Sequence, residues 1–206
     1  MEKGSEMSGQ QSLLIIQQMI ETAKQEQKDD GKAWIIWGWM LFFASLTTIL
    51  NQHFRWGGTF LFWNIFGIVS LLLAFISIGK RLFVKRQHKV KTYTRDLFNK
   101  LNIGFFISLM FIIAGINLGI SPMIGFPLLM NLYAFWVLIY GAVLNFKPSY
   151  VGAIITWILA FGCLFVHRFE LLMVFHGTAV LFGYIIPGHI ANREFRKLQS
   201  RPPNQV

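Results

Sequence analysis

Residues 101–146 read LNIGFFISLMFIIAGINLGISPMIGFPLLMNLYAFWVLIYGAVLNF, 46 residues without one Asp, Glu, Lys or Arg. As a single helix rising about 1.5 Å per residue the run would be about twice the thickness of a bilayer core. It must therefore be a hairpin, and residues 120–127, with Pro122, Gly125 and Pro127, are predicted to form its turn because two prolines and a glycine interrupt helix there. Outward from this run, residues 33–54, 56–79, 148–167 and 171–192 are also free of charged side chains, and the five runs hold 134 of the 206 residues. Each of the shorter four matches one tilted helix, since a span needs roughly 20 apolar residues.

The composition agrees. Charged residues are 14% and hydrophobic residues 54% of the chain, whereas charges make up about a quarter of a soluble domain. The expected fold is all-α: a polytopic membrane protein with six transmembrane helices, at 33–51, 58–78, 102–120, 127–145, 149–167 and 170–188. Six spans divide the 19 Lys and Arg residues seventeen to two. One side receives the basic residues of 1–32, 80–100, Lys147 and 193–206, and the other only Arg55 and Arg168. Cytoplasmic loops carry the excess, so both termini are predicted to be cytoplasmic. Most of the formal charge of +10 is then a topology signal, and no nucleic-acid partner is expected. Trp34, Trp37 and Trp56 fall where interfacial aromatic anchors occur.

The cytoplasmic parts are a segment over 1–32, a basic loop over 79–101 and a basic tail over 193–206. Residues 10–28 form an amphipathic pattern, with Leu13, Ile16, Met19, Ile20 and Ala23 on one stripe and Gln17, Gln18, Glu21, Lys24 and Gln25 off it. The first 32 residues hold six acidic and four basic side chains, whereas residues 80–100 hold eight basic and one acidic. Lys80, Arg81, Lys85, Arg86, Lys89 and Lys91 are therefore candidate contacts for a cytoplasmic partner, for the N-terminal helix itself or for anionic lipid headgroups. A helix lying in the interface beside a solvated loop is the alternative. The N-terminus lacks the basic start and continuous apolar stretch of a cleavable signal.

Ionisable groups inside spans mark function because they are expensive there, and His176 is the only one well inside. His53, His167 and Glu170 are expected near the same outer surface, so these four form a candidate outer polar cluster. Their spacing is no recognised ligand pattern, and no metal or cofactor is expected. Six spans with His176-Gly177 in the last invite comparison with the rhomboid proteases, whose chemistry needs a serine within reach of the histidine. Residues 127–145 contain no serine, so that activity is not expected.

Asn117 with Asn131, and Asn102 with Asn145, would lie at matching levels of the hairpin and are candidate interhelical contacts. Asn64, Tyr133, Tyr140, Thr156, Thr178 and Tyr184 could line a modest polar cavity or serve structural hydrogen bonds. Gly115 with Gly119, and Ala179 with Gly183, have the small-residue spacing of close helix packing, within the bundle or in a homodimer. Pro187-Gly188 is expected to kink or end the sixth span.

Several landmarks together resemble a family of small uncharacterised multi-pass inner-membrane proteins of bacteria. They are Gln11-Ser12-Leu13, Ile16-Gln17-Gln18-Met19-Ile20, Ala23-Lys24, Trp37-Gly38-Trp39, Lys91-Thr92-Tyr93-Thr94, Phe146-Lys147-Pro148 and Ile185-Ile186-Pro187-Gly188, and the likeness spans roughly 10–192. It implies a bacterial cytoplasmic membrane and an N-terminal helix feeding the first span. No activity and no catalytic residues come with it. The leading expectation is a non-enzymatic sensor, regulatory or assembly module that binds a partner on its cytoplasmic face. A small-solute transporter, or the substrate-binding subunit of one, is the alternative.

Overall fold

The computed structural model describes residues 30–69 and 93–200, with positions 13, 72 and 76. The amphipathic stretch 10–28 (apart from Leu13) and the basic cluster from Lys80 to Lys91 lie outside the described residues.

The described chain is helical, with no strand among the described residues. Its elements are α1 (Lys32–Phe54), α2 (61–69), α3 (Tyr93–Asn117), α4 (Pro122–Leu144), α5 (Lys147–Cys163), α6 (Phe169–Val180), a π turn (Leu181–Ile185) and α7 (Ile186–Gln199). Among the described residues four helices are long and apolar enough to cross a membrane: Lys32–Phe54, Lys100–Asn117, Pro122–Leu144 and Phe169–Lys197, the last running on from α6 into α7. At 17 residues, α5 is shorter; it would span about 25 Å at 1.5 Å per residue.

α1 shows how the bundle is organised. Trp34, Gly38, Leu41, Ser45 and Thr48 repeat at alternating steps of four and three residues and are buried, while Ile36, Phe43 and Leu50 are exposed. Every small and polar residue of this set faces inward, with Trp34 and Leu41, while Ile36, Phe43 and Leu50 face outward, an arrangement that suits lipid because lipid chains solvate apolar side chains and helices associate through close packing and hydrogen bonds. α6 and its π turn occupy the centre, packed against α1, α4 and α5, and α3 lies on α4. Phe66 against Trp37, Phe60 against Phe169 and Trp63 against Phe126 bring α2 and the residue before it onto α1, α6 and α4.

The hairpin forms, but its turn is earlier than expected. It occupies 118–121, where Gly119 adopts φ +118°, and both prolines lie inside α4. Pro122 sits in the first helical turn, where its missing N–H and fixed φ cost nothing. Ser121 caps the helix, its hydroxyl accepting from the Met123 N–H at 3.3 Å. Pro127, in the second turn, cannot donate to the Met123 carbonyl one turn back. The Gly115 and Gly119 pair serves this turn rather than a helix crossing: a Cβ on Gly115 would meet Ile120.

Pro187-Gly188 does not end the last span. The irregularity lies before it, in the π turn, where the Ile186 N–H donates to the Leu181 carbonyl. In a regular helix the Pro187 ring would clash with the carbonyl four residues back, and a wide turn ahead of it relieves that clash. The opened backbone packs closely on α5: a Cβ on Gly152 would lie 2.6 Å from the Phe182 carbonyl oxygen, and one on Gly183 would lie 2.8 Å from Thr156 Oγ1. The small pair Ala179 and Gly183 is thus at a close crossing. Gly188 lies against Trp34 and Ile35 at the start of α1, and Asn192 Nδ2 donates to the Asp30 carbonyl at 2.6 Å.

Trp34 is no interfacial anchor. It is buried between Tyr140 and Tyr184, at ring separations of 4.3 and 4.9 Å, while Trp37 is half-buried on Phe66 and Trp56 is exposed, stacked on Phe54.

Candidate functional site

His176 is fully buried on α6, with no exposed surface. Its Nδ1 lies 2.8 Å from Ser45 Oγ on α1. The hydroxyl of Ser45 also lies 3.0 Å from the Leu41 carbonyl. Serine has one hydroxyl proton, so Oγ gives it either to the Leu41 carbonyl, with Nδ1–H then donating to Oγ, or to Nδ1 itself, and the ring tautomer decides which. Nε2 is buried and has no partner among the described residues.

Three aromatic rings surround the imidazole: Trp63 at 5.2 Å, Phe126 at 5.6 Å and Tyr133 at 6.0 Å between ring centres. Trp63 Nε1 is also buried without a partner. Two buried ring nitrogens are thus left unpaired in neighbouring rings, and each unmet group costs about 1–3 kcal/mol. The ring series continues through Tyr133 to Tyr184 and Trp34, and Tyr184 Oη is a further buried atom without a partner.

Trp63, Phe126 and Tyr133 also wall a cavity of about 440 Å³ between α2, α3 and α4. The rest of its lining is mostly apolar and aromatic, with Trp37, Phe66 and Phe106 adding rings and Asn64 and Asn117 adding amides. Such a volume and lining are typical of a small-molecule site. Its far wall, made of three rings, separates it from the Ser45–His176 pair.

The expected outer cluster does not assemble. His176 points its hydrogen bond at Ser45, Glu170 pairs with Arg168 at 2.8 Å, and His53 is exposed beside Phe54. His167 is exposed, and no group of three His, Cys, Asp or Glu side chains fit to hold a metal occurs among the described residues. The asparagine ladder is also not formed. Asn117 Nδ2 donates to the Ile113 carbonyl of its own helix, Asn131 Oδ1 accepts from Trp157 Nε1 at 2.9 Å, and Asn145 closes α4 in the left-handed conformation at φ 50°. Asn102 is half-buried on α3. Of the other polar candidates, Asn64 and Tyr133 line the cavity. Thr156 and Thr178 bond backbone carbonyls.

A serine does reach His176, but from the first span. Its hydroxyl also lies 3.0 Å from the Leu41 carbonyl, and the pair is sealed behind aromatic rings. Nothing local in the sequence announces it, since Ser45 and His176 are 131 residues apart. The traceable signals are a histidine in a span otherwise without charge and a serine on the inward stripe of α1. No family model, curated protein or solved structure matches the chain.

Proposed function

We propose that the chain is a six-span protein of the bacterial cytoplasmic membrane, with both termini in the cytoplasm, that binds a lipophilic small molecule between its second and third spans. The observation that carries this is the 440 Å³ cavity, lined by aromatic and aliphatic side chains from the interior of apolar helices. A polar solute would lose its hydration there for little return, whereas an apolar body would bury its surface against the rings. The seventeen-to-two division of basic residues supports the topology.

The protein works as a non-enzymatic sensor or regulatory module. Its ligand is read within the bilayer, and its output leaves through the cytoplasmic elements at 10–28 and 79–101, toward a protein partner or anionic headgroups. The full burial of Ser45 and His176, out of reach of a substrate, supports the non-enzymatic reading.

The test is retention of a bound lipophile by the full chain, read by native mass spectrometry after gentle solubilisation. Gly67 lines the cavity, and a Cβ there would meet nothing within 4 Å, so Gly67→Phe fills the space without disturbing packing. The native chain should carry an adduct that Gly67→Phe reduces at least ten-fold while remaining folded. Equal adducts on both would overturn the assignment.

A further inference from the structure

The last helix carries a charged face that the bundle does not use. At about 1.5 Å per residue, the 29 residues of Phe169–Lys197 reach about 43 Å, the thickness of a bilayer with its headgroups rather than of the hydrocarbon core alone. His189 stands about 30 Å along the helix from Phe169, one core thickness, and the exposed Arg168–Glu170 pair marks the opposite surface. The part of α7 from His189 onward therefore lies at headgroup depth.

There its side chains divide by angle, because successive residues turn about 100°. Gly188, Ala191 and Asn192 lie against Gly31, and Asn192 Nδ2 holds the Asp30 carbonyl. His189, Arg193, Arg196, Lys197 and Ser200 fall together on the adjoining side, and with Asn192 they line one groove. Arg193, Arg196 and Lys197 are exposed and make no ion pair among the described residues. Glu194, the one acid of α7, turns away from the groove.

We propose that this groove binds the phosphate of an anionic phospholipid. Two guanidinium forks and an ammonium offer charge-assisted hydrogen bonds to phosphate oxygens. A lipid is favoured over a free phosphate because the groove stands where headgroup phosphates already lie, and basic residues gain most at that depth. A net anionic lipid is favoured over a zwitterionic one because no carboxylate lines the groove to receive an ammonium head. The arrangement is more than a diffuse excess of positive charge: Lys147, at the start of α5 and so at the same end of the bundle, is equally exposed and lies outside the groove. The site is separate from the cavity between α2, α3 and α4 and stands or falls independently of it.

The full-length chain in nanodiscs of equimolar phosphatidylcholine and phosphatidylglycerol tests this, with retained lipids counted by native mass spectrometry. The native chain should hold phosphatidylglycerol in preference to phosphatidylcholine, and Arg193→Gln combined with Arg196→Gln should hold about ten-fold less of it. Both side chains are exposed, so the double variant should keep its fold. Arg193→Lys combined with Arg196→Lys preserves the charge and should retain most of the lipid, while Lys147→Gln should change nothing. Equal retention of the two lipids by the native chain, or undiminished phosphatidylglycerol on the double Gln variant, would overturn the site. A loss in Lys147→Gln as large as in that variant would reduce the preference to diffuse attraction and overturn it as well. Millimolar inorganic phosphate should leave the bound phosphatidylglycerol in place; its displacement would assign the groove to the free anion and overturn the lipid assignment.

Discussion

Thr156 and His176 are buried to the same degree, at 1% and 0% exposure, in adjacent helices of one bundle, yet their polar atoms meet different ends. Thr156 Oγ1 lies 2.8 Å from the Gly152 carbonyl and 3.3 Å from the Ala179 carbonyl, so its one proton is shared within a close helix crossing. His176 uses one nitrogen on Ser45 and leaves the other open beside Trp63, whose own N–H is open too. The first arrangement glues helices. The second leaves two ring nitrogens unpaired, one of them on Trp63, whose ring walls an apolar cavity. Burial alone therefore does not mark a functional polar group in a membrane bundle; unmet hydrogen-bonding capacity beside a space does.

The contrast can be broken at either side. The largest effect is expected at the crossing. Gly152→Val drives a side chain into the Phe182 carbonyl, which is backbone and cannot swing away, and should lower stability on the order of 3 kcal/mol in a reversible SDS titration. Thr156→Val comes next and should cost about 1 kcal/mol, within the range of interhelical hydrogen bonds, and leave ligand retention unchanged. His176→Phe keeps a ring among rings and removes an unmet ring nitrogen, so stability should change by less than about 1 kcal/mol. A loss of stability as large as that of Gly152→Val would make His176 another structural group and erase the distinction. Smallest of all is Arg168→Ala. The ion pair with Glu170 is 79% and 45% exposed, so its loss should shift the titration by less than about 0.5 kcal/mol.

The spacing of charges made the helical architecture legible, because excluding Lys and Arg from a span is a demand of the solvent and leaves a mark residue by residue. The hairpin within 101–146 was legible for the same reason. Its turn was displaced because proline breaks a helix in the middle and starts one at the beginning, and Pro122 does the second. The π turn was hidden: Pro187 signals a disturbance, but the carbonyl it would strike lies a turn earlier, and the chain relieves the conflict there. The amide ladder failed because short polar side chains in a span find carbonyls of their own helix one turn back, as Asn117 does with Ile113 and Thr178 with Val174. Trp34 was misplaced because an aromatic near a span end can face headgroups or the bundle, and composition does not distinguish the faces. The Ser45–His176 pair and its rings come from four separate helices, so no pattern along the chain could have joined them.

The cavity between α2, α3 and α4, and not the outer lipid face, is proposed to hold a specific lipophile. Photolabelling of intact membranes with a diazirine-bearing octylphenol, followed by peptide mapping, tests it directly. Label should concentrate on residues 60–67 and 106–117 and be displaced by excess unlabelled octylphenol. Label spread evenly over lipid-facing residues such as Ile36, Phe43 and Phe161, and unmoved by competitor, would contradict it.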